Sequence, residues 1–193
     1  MSRWARSWRS SALIVAGIAV AALPGCGAGQ PKSAASAADF ERALAGAPPT
    51  LARLYGAPGR VLDGGPDAFE RQIAGLRGHP VVVNKWASWC GPCRFEFPTL
   101  QKLSAHYGRR VAFLGVNSQD SDDAASTFLE EAPVPYPSYT DPDKKIAAAL
   151  HATLGLPDTA FYDRSGKLVY LKQGPYTSPK ELETDVQHYA LGS

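Results

Sequence analysis

Two cysteines, separated by two residues, are the side chains in this 193-residue chain whose types and spacing most clearly suggest chemistry. Cys90 and Cys93 frame the dipeptide Gly91-Pro92 and directly follow Trp89. Such a pair can close and reopen a small disulfide ring, so the spacing predicts a redox-active dithiol. We expect Cys90 to attack a substrate disulfide and Cys93 to resolve the mixed disulfide by intramolecular attack. Trp89 would shield the pair and offer an apolar edge to a partner.

The segments on either side must position this pair. The β-branched run at 81–86 is typical of a strand buried in a parallel sheet. After the pair, apolar residues recur at intervals of three, three and four, which predicts a helix with one apolar face: Phe97, Leu100, Leu103 and Tyr107. Cys90 would then stand at the helix N-terminus, where free N–H groups and the helix dipole favour its thiolate. Pro92 would fit the first turn, because its missing N–H has no helical partner there.

Two other interpretations of the cysteine pair are weaker. A zinc site would need two further ligands, but there is no second cysteine pair, and the four histidines are scattered along the sequence. A purely structural disulfide would close a ring too small to remove much chain entropy. The sequence therefore predicts redox chemistry, with no metal and no cofactor other than the redox-active disulfide itself.

Three separated blocks carry a family resemblance. The stretch 82–94 resembles the central strand and active site of the thioredoxin superfamily. Residues 96–98 resemble the continuation of that segment in one branch of the superfamily, the membrane-tethered TlpA-like and ResA-like thiol–disulfide oxidoreductases. The block 155–157, with the hairpin residues 161–167 behind it, resembles the family's cis-proline loop. The resemblance spans about residues 66–190. It implies a thioredoxin-like α/β fold, in which a mixed central sheet has helices on both faces, here with an N-terminal extension.

The resemblance also implies roles for single residues. Pro157 would form the cis peptide bond that faces the disulfide, and it would present the backbone of Leu156 to a bound partner. Glu96 corresponds to a carboxylate near the active site of ResA-like proteins, where it could take the proton from Cys93. The alternative is a solvated glutamate favoured by the helix dipole. Asn84 stands where cytosolic thioredoxins carry a buried aspartate, and the tethered branch often has asparagine there.

Two residues depart from the family's pattern. Lys85 falls where an apolar residue is usual, on the strand face opposite Asn84. A buried lysine needs a partner or loses its charge, and the sequence identifies no partner for it. Asp158, directly after Pro157, would either tune the choice of partner or be exposed.

The start of the chain predicts export. Three arginines precede an apolar stretch at 12–23, which is too short to span a membrane comfortably. The sequence Leu-Pro-Gly-Cys at 23–26 resembles a bacterial lipobox. Residues 1–25 would then be a lipoprotein-type signal peptide, and Cys26 would carry the lipid anchor on the bacterial cell membrane. An uncleaved signal anchor and an unlipidated secreted form are the alternatives, and all three place the protein outside the cytoplasm.

Composition divides the remaining chain. Residues 26–38, rich in Ala, Ser, Gly and Pro, predict a flexible tether; 39–65 predict an N-terminal helical extension; and 66–193 predict the thioredoxin-like domain. Within that domain, besides the helix that the cysteine pair opens, we expect helices at 67–77, 123–131, 141–151 and 179–190, strands at 111–116 and 138–140, and a hairpin of 159–163 with 167–173. The formal charge of +2 becomes −1 without the leader's arginines, so nucleic acid is not an expected partner.

Together these features predict an extracytoplasmic, membrane-tethered thiol–disulfide oxidoreductase. The Gly91-Pro92 dipeptide matches thioredoxin, whose potential of about −270 mV is reducing. We therefore expect reduction of disulfides in exported proteins, with apocytochrome c as the kind of substrate that the resemblance implies and a membrane-embedded thiol carrier as electron donor. The alternatives are an oxidising or isomerising disulfide catalyst and a non-enzymatic redox-sensing or copper-handling module. A peroxidase is disfavoured, because there is no separate peroxidatic cysteine with a distant resolving cysteine.

Overall fold

A six-stranded mixed sheet forms the centre of the computed structural model, which describes Met1 and residues 35–193. The strands lie in the order β1-β4-β3-β2-β5-β6. Pairs β1–β4, β4–β3 and β3–β2 are parallel, while β2–β5 and β5–β6 are antiparallel. Their bounds are β1 Val61–Leu62, β2 Val81–Trp86, β3 Ala112–Ser118, β4 Ser138–Asp141, β5 Asp158–Tyr162 and β6 Leu168–Gln173. The predicted signal peptide, Cys26 and most of the predicted tether lie outside the described residues.

Seven α-helices are found in the described part of the chain: α1 Ala37–Leu44, α2 Pro49–Tyr55, α3 Gly65–Gly75, α4 Gly91–Tyr107, α5 Asp122–Glu131, α6 Lys145–Ala149 and α7 Pro179–Asp185. A π-helical segment, Val186–Leu191, continues directly from α7. Among the described residues, no helix combines the length and apolarity that crossing a membrane requires.

Helices cover both faces of the sheet, as predicted. Trp86 of β2 packs against Phe97 of α4, with ring centroids 5.1 Å apart. Tyr139 of β4 lies in line with Lys85, the neighbour of Trp86, and therefore on the opposite face. There it packs against Phe69 of α3, with ring centroids 5.7 Å apart. The redox motif therefore opens a helix that packs on one face of β2, while Lys85 points to the other.

Two predicted helices differ from those observed. The helix predicted at 141–151 is shorter, because Asp141 ends β4 instead of starting a helix. Its carboxylate accepts hydrogen bonds from the N–H groups of Ile146 and Ala147, at 2.9 and 3.0 Å, and so caps α6 from outside. The helix predicted at 179–190 is α-helical only to Asp185. The following π-helical turns bury Val186 and Ala190 against the sheet.

The region 39–65, predicted to be helical, holds most of α1, all of α2 and also the edge strand β1, which pairs with β4. Helix α2 joins the common core through Leu51, Leu54 and Tyr55. The hydroxyl of Tyr55 donates to the carbonyl of Val111 at 2.7 Å and accepts from the N–H of Phe113 at 3.2 Å. One buried side chain therefore ties α2 to the start of β3.

This arrangement predicts a contrast between two buried tyrosines. Tyr55→Phe leaves two backbone groups without their partner and should lower the free energy of unfolding by about 1–3 kcal/mol. Tyr136→Phe removes a buried hydroxyl that has no hydrogen-bond partner among the described residues, so it should be neutral or stabilising. Urea unfolding of both variants and the unsubstituted protein measures the difference. Equal destabilisation by the two substitutions would contradict this account of Tyr55.

Candidate active site

Cys90 and Cys93 form a disulfide at the start of α4, with their Cα atoms 5.2 Å apart. Cys90 is the N-cap residue, and its Sγ accepts a hydrogen bond from the N–H of Cys93 at 3.2 Å. Gly91 and Pro92 occupy the first helical positions, where the proline's missing N–H costs no helical bond. The sulfur of Cys90 thus lies where the unpaired N–H groups and the dipole of α4 favour negative charge.

A loop from the neighbouring strand supports the segment that leads to the disulfide. Ser88 donates to Asp120 through both its backbone N–H, at 2.6 Å, and its hydroxyl, at 3.0 Å. Trp89 is 62% exposed, and its indole N–H donates to the carbonyl of Gln119 at 2.9 Å. Burial raises the pKa of Asp120, but hydrogen bonds from Asn117, Ser88 and Ser121 outweigh it, so the net pKa lies below the usual value.

The peptide bond between Leu156 and Pro157 is cis, the configuration that the family resemblance implied. The strand β5 begins directly after it and runs antiparallel to β2, with Asp158 opposite Lys85. The start of β5 therefore lies at the end of the sheet where β2 leads into the redox motif. The predicted site residues from both segments are brought to the same end of the sheet.

Glu96 is buried, with 3% of its surface exposed, so the alternative of a solvated glutamate does not describe it. Its Oε1 accepts a hydrogen bond from the N–H of Tyr176 at 2.6 Å, while Oε2 has no hydrogen-bond partner among the described residues. Burial raises the pKa of Glu96 to about 7. The bond from Tyr176 and the positive charge of Lys172 lower the pKa but do not cancel this effect.

The partner of Lys85, which the sequence did not identify, is Asp158. Nζ of Lys85 lies 2.6 Å from Oδ2 of Asp158 and also donates to the carbonyl of Ala152. The other oxygen of Asp158 accepts from the N–H of Gly174 at 3.1 Å. The two side chains are 4% and 1% exposed, so the predicted alternative of an exposed Asp158 is wrong.

Sequence reasoning missed Asp120, Gly174 and Tyr176. A signal existed for Asp120, because it lies in a polar run just after β3, and the carboxyl ends of parallel β3 and β2 meet at one edge of the sheet. No side-chain signal could have identified the other two, since both act through backbone N–H groups. Asn84 is buried as expected, and its Nδ2 has no hydrogen-bond partner among the described residues.

This fold and site define a thioredoxin-like protein with a Cys-x-x-Cys disulfide. The family model described as Redoxin matches residues 61–186, and the chain belongs to that family. The predicted resemblance to the TlpA-like and ResA-like thiol–disulfide oxidoreductases of the thioredoxin superfamily is confirmed, and the comparisons add a similarity to DsbE proteins.

Three similar proteins illustrate the relationship. The thiol:disulfide interchange protein DsbE of Escherichia coli is 33% identical over 150 residues, 77% of this chain and 75% of that protein. A DsbE homolog of Paracoccus denitrificans is 40% identical over 95 residues, 49% of this chain and 50% of that protein, so the chain spans half its length. A solved structure of a secreted Mycobacterium tuberculosis disulfide oxidoreductase has a TM-score of 0.53 and 26% identity, covering 58% of this chain and 84% of that one.

The buried Glu96 predicts a pH dependence of stability. In the unfolded chain this carboxyl loses its proton near the ordinary pKa of 4.5, whereas the folded chain retains it until about pH 7. Unfolding between these values releases a proton, so raising the pH favours the unfolded state. The oxidised protein should therefore lose stability from pH 4.5 to 7, by about 3 kcal/mol at most.

Urea unfolding of the oxidised protein across this pH range measures the loss. Glu96→Gln should reduce it, because glutamine keeps an acceptor for the N–H of Tyr176 but does not ionise. Glu181→Gln is the matched control, since hydrogen bonds from Thr177 lower the pKa of Glu181 and its contribution has the opposite sign. A loss that persists unchanged in Glu96→Gln would exclude Glu96 as its source.

Proposed function

We propose that this protein is a thiol–disulfide oxidoreductase that exchanges electrons with other proteins through Cys90 and Cys93. The single observation that carries the proposal is the disulfide at the N-terminus of α4, beside a cis-proline loop. The names of the E. coli and P. denitrificans relatives, which are thiol:disulfide interchange proteins, support it. No cofactor other than this disulfide enters the proposed reaction.

The first step is attack by the thiolate of Cys90 on one sulfur of a substrate disulfide. A mixed disulfide forms between Cys90 and that sulfur, and the second substrate sulfur leaves as a thiolate. The N–H of Cys93 is directed at Sγ of Cys90 in the oxidised protein, and the helix dipole adds to this effect. Both favour the ionised form of the nucleophile at neutral pH.

The second step requires Cys93 to lose its proton. We assign the role of base to Glu96, because it lies three residues after Cys93 on α4, on the same side of the helix, and both side chains are buried. Burial also raises the pKa of its carboxyl to about 7, where it can both accept and release a proton. The thiolate of Cys93 then attacks Sγ of Cys90, the enzyme disulfide closes, and the remaining substrate sulfur leaves as a thiolate. Two electrons have passed from the enzyme dithiol to the substrate disulfide.

Substrate polypeptide would bind along the cis-proline loop, through the backbone of Leu156. Trp89 and Phe95 flank the cysteines and are 62% and 63% exposed, so they offer apolar surface to the same partner. We propose that the partners are exported proteins with disulfides, such as apocytochrome c, and that a membrane thiol carrier returns the electrons. We also propose that the protein lies outside the cytoplasm and is tethered by lipid on Cys26.

The two-step reaction predicts different behaviour for the two cysteine variants. When the reduced protein is mixed with insulin, whose disulfides serve as substrate, Cys93→Ala should accumulate a mixed disulfide, because the resolving thiol is missing. Cys90→Ser should form none. Cys26→Ser is the matched control and should reduce insulin like the unsubstituted protein. Non-reducing electrophoresis with mass spectrometry detects the adduct, and an adduct on Cys90→Ser would contradict the assignment of the nucleophile.

The proposed direction of transfer predicts a reducing potential. Thioredoxin has the same Gly-Pro dipeptide between its cysteines and a reduction potential of about −270 mV. Equilibration with glutathione buffers should give this protein a potential near that value. A potential above about −150 mV would instead favour the oxidising catalyst.

Titration of the reduced protein with Cu(I) tests the copper-handling alternative, which would require tight binding that Cys90→Ser abolishes.

A further inference from the structure

We propose that Lys85 is a positioning residue for partner binding, an inference that rests on the proposed function. Its buried ammonium group fixes the cis-proline loop on which a substrate polypeptide docks. Lys85 lies on β2, five residues before the nucleophile, and its side chain points to the sheet face opposite the one that α4 covers. It therefore acts on the partner through the loop rather than through the sulfur atoms.

The ammonium group connects the two ends of this loop. Its Nζ donates to the carbonyl of Ala152 on one side and lies 2.6 Å from Oδ2 of Asp158 on the other. Between these anchors, residues 153–157 form neither helix nor strand, and Leu154 is 82% exposed. An exposed irregular segment has few contacts of its own to define its path. The geometry assigns that task to Lys85, which contacts both ends of the segment.

Asp158 also links the cis-proline loop to the segment after β6 that contacts Glu96. Its Oδ1 accepts from the N–H of Gly174, and two residues later the N–H of Tyr176 donates to Glu96. The same carboxylate therefore positions the start of β5 and the segment that contacts the proposed base. Displacement of Asp158 would disturb the cis-proline loop directly and Glu96 only through this backbone segment.

The choice of charged residues supports a role in positioning. A buried ion pair gains little net stability over apolar residues of similar volume, because both charges must leave water. A lysine ammonium group, however, has three N–H donors and can contact a carbonyl and a carboxylate at once, which an apolar side chain cannot do. Lys85, almost fully buried together with Asp158, makes both contacts at the base of the loop.

The test compares two substrates that differ in their need for the loop. A peptide with a Cys-x-x-Cys disulfide must dock its backbone, whereas the small aromatic disulfide 5,5′-dithiobis(2-nitrobenzoate) needs only the nucleophile. In Lys85→Met/Asp158→Asn, both charges are removed, and the asparagine keeps an acceptor for the N–H of Gly174. We expect KM for the peptide to rise about tenfold or more, with kcat within about threefold of the unsubstituted protein. The rate with the aromatic disulfide should stay within about twofold.

Two further variants complete the design. Lys85→Met alone leaves the carboxylate of Asp158 buried without its cation and should be clearly less stable to urea than the double variant. Asp158→Asn alone should show the same rise in KM, and it replaces the double variant if that protein does not fold. Lys145→Met is the matched control, because it removes an exposed ion pair with Asp143 and should leave both substrates unaffected.

Each outcome decides between the proposals. An unchanged peptide KM in the double variant, or in Asp158→Asn where that variant replaces it, would overturn the role of Lys85. Equal slowing with the peptide and the aromatic disulfide would also overturn it, since the effect would then be on the fold or the nucleophile. Failure of the unsubstituted reduced protein to reduce the peptide would instead refute the proposed function, before any variant is compared.

Discussion

Burial of the central strand β2 on both faces is the constraint on which the rest of the structure depends. All six of its residues are buried, although two of them are the polar Asn84 and Lys85. A charge in that position must be paired, and the antiparallel neighbour β5 supplies Asp158 directly opposite. Because β2 also leads into the redox motif, the ion pair that compensates the buried charge of Lys85 also positions the start of β5 next to the disulfide segment.

The candidate site is assembled from four segments that are distant in sequence. The motif itself comes from the junction of β2 and α4, and the loop after β3 holds it through Asp120. The start of β5 supplies Pro157, and the segment after β6 contacts Glu96 through the N–H of Tyr176. Only the first segment contains the cysteines. The electrostatic character of the proposed base therefore depends on backbone groups 80 residues away in the chain.

Much of this was readable from the sequence because it is local. The strand-to-helix junction at Cys90, the hairpin β5–β6 and most helices follow from periodicity and turn residues, as observed. The partner of Lys85 was not readable, since it depends on the register of two strands more than 70 residues apart. The N–H of Tyr176 has no side-chain signature at all. The two-residue strand β1 is too short to show alternation, and α6 is shortened by a carboxylate that the pattern could not place.

The disulfide spans only three positions in the sequence and lies within one helical turn. Opening so small a ring releases very little chain freedom, in contrast to a bridge that closes a long loop. We therefore expect the hydrophobic core and the sheet register to persist when that covalent link is reduced. In the proposed reaction, the two redox forms would then share one scaffold, and repeated cycles of electron transfer would require no refolding of the chain.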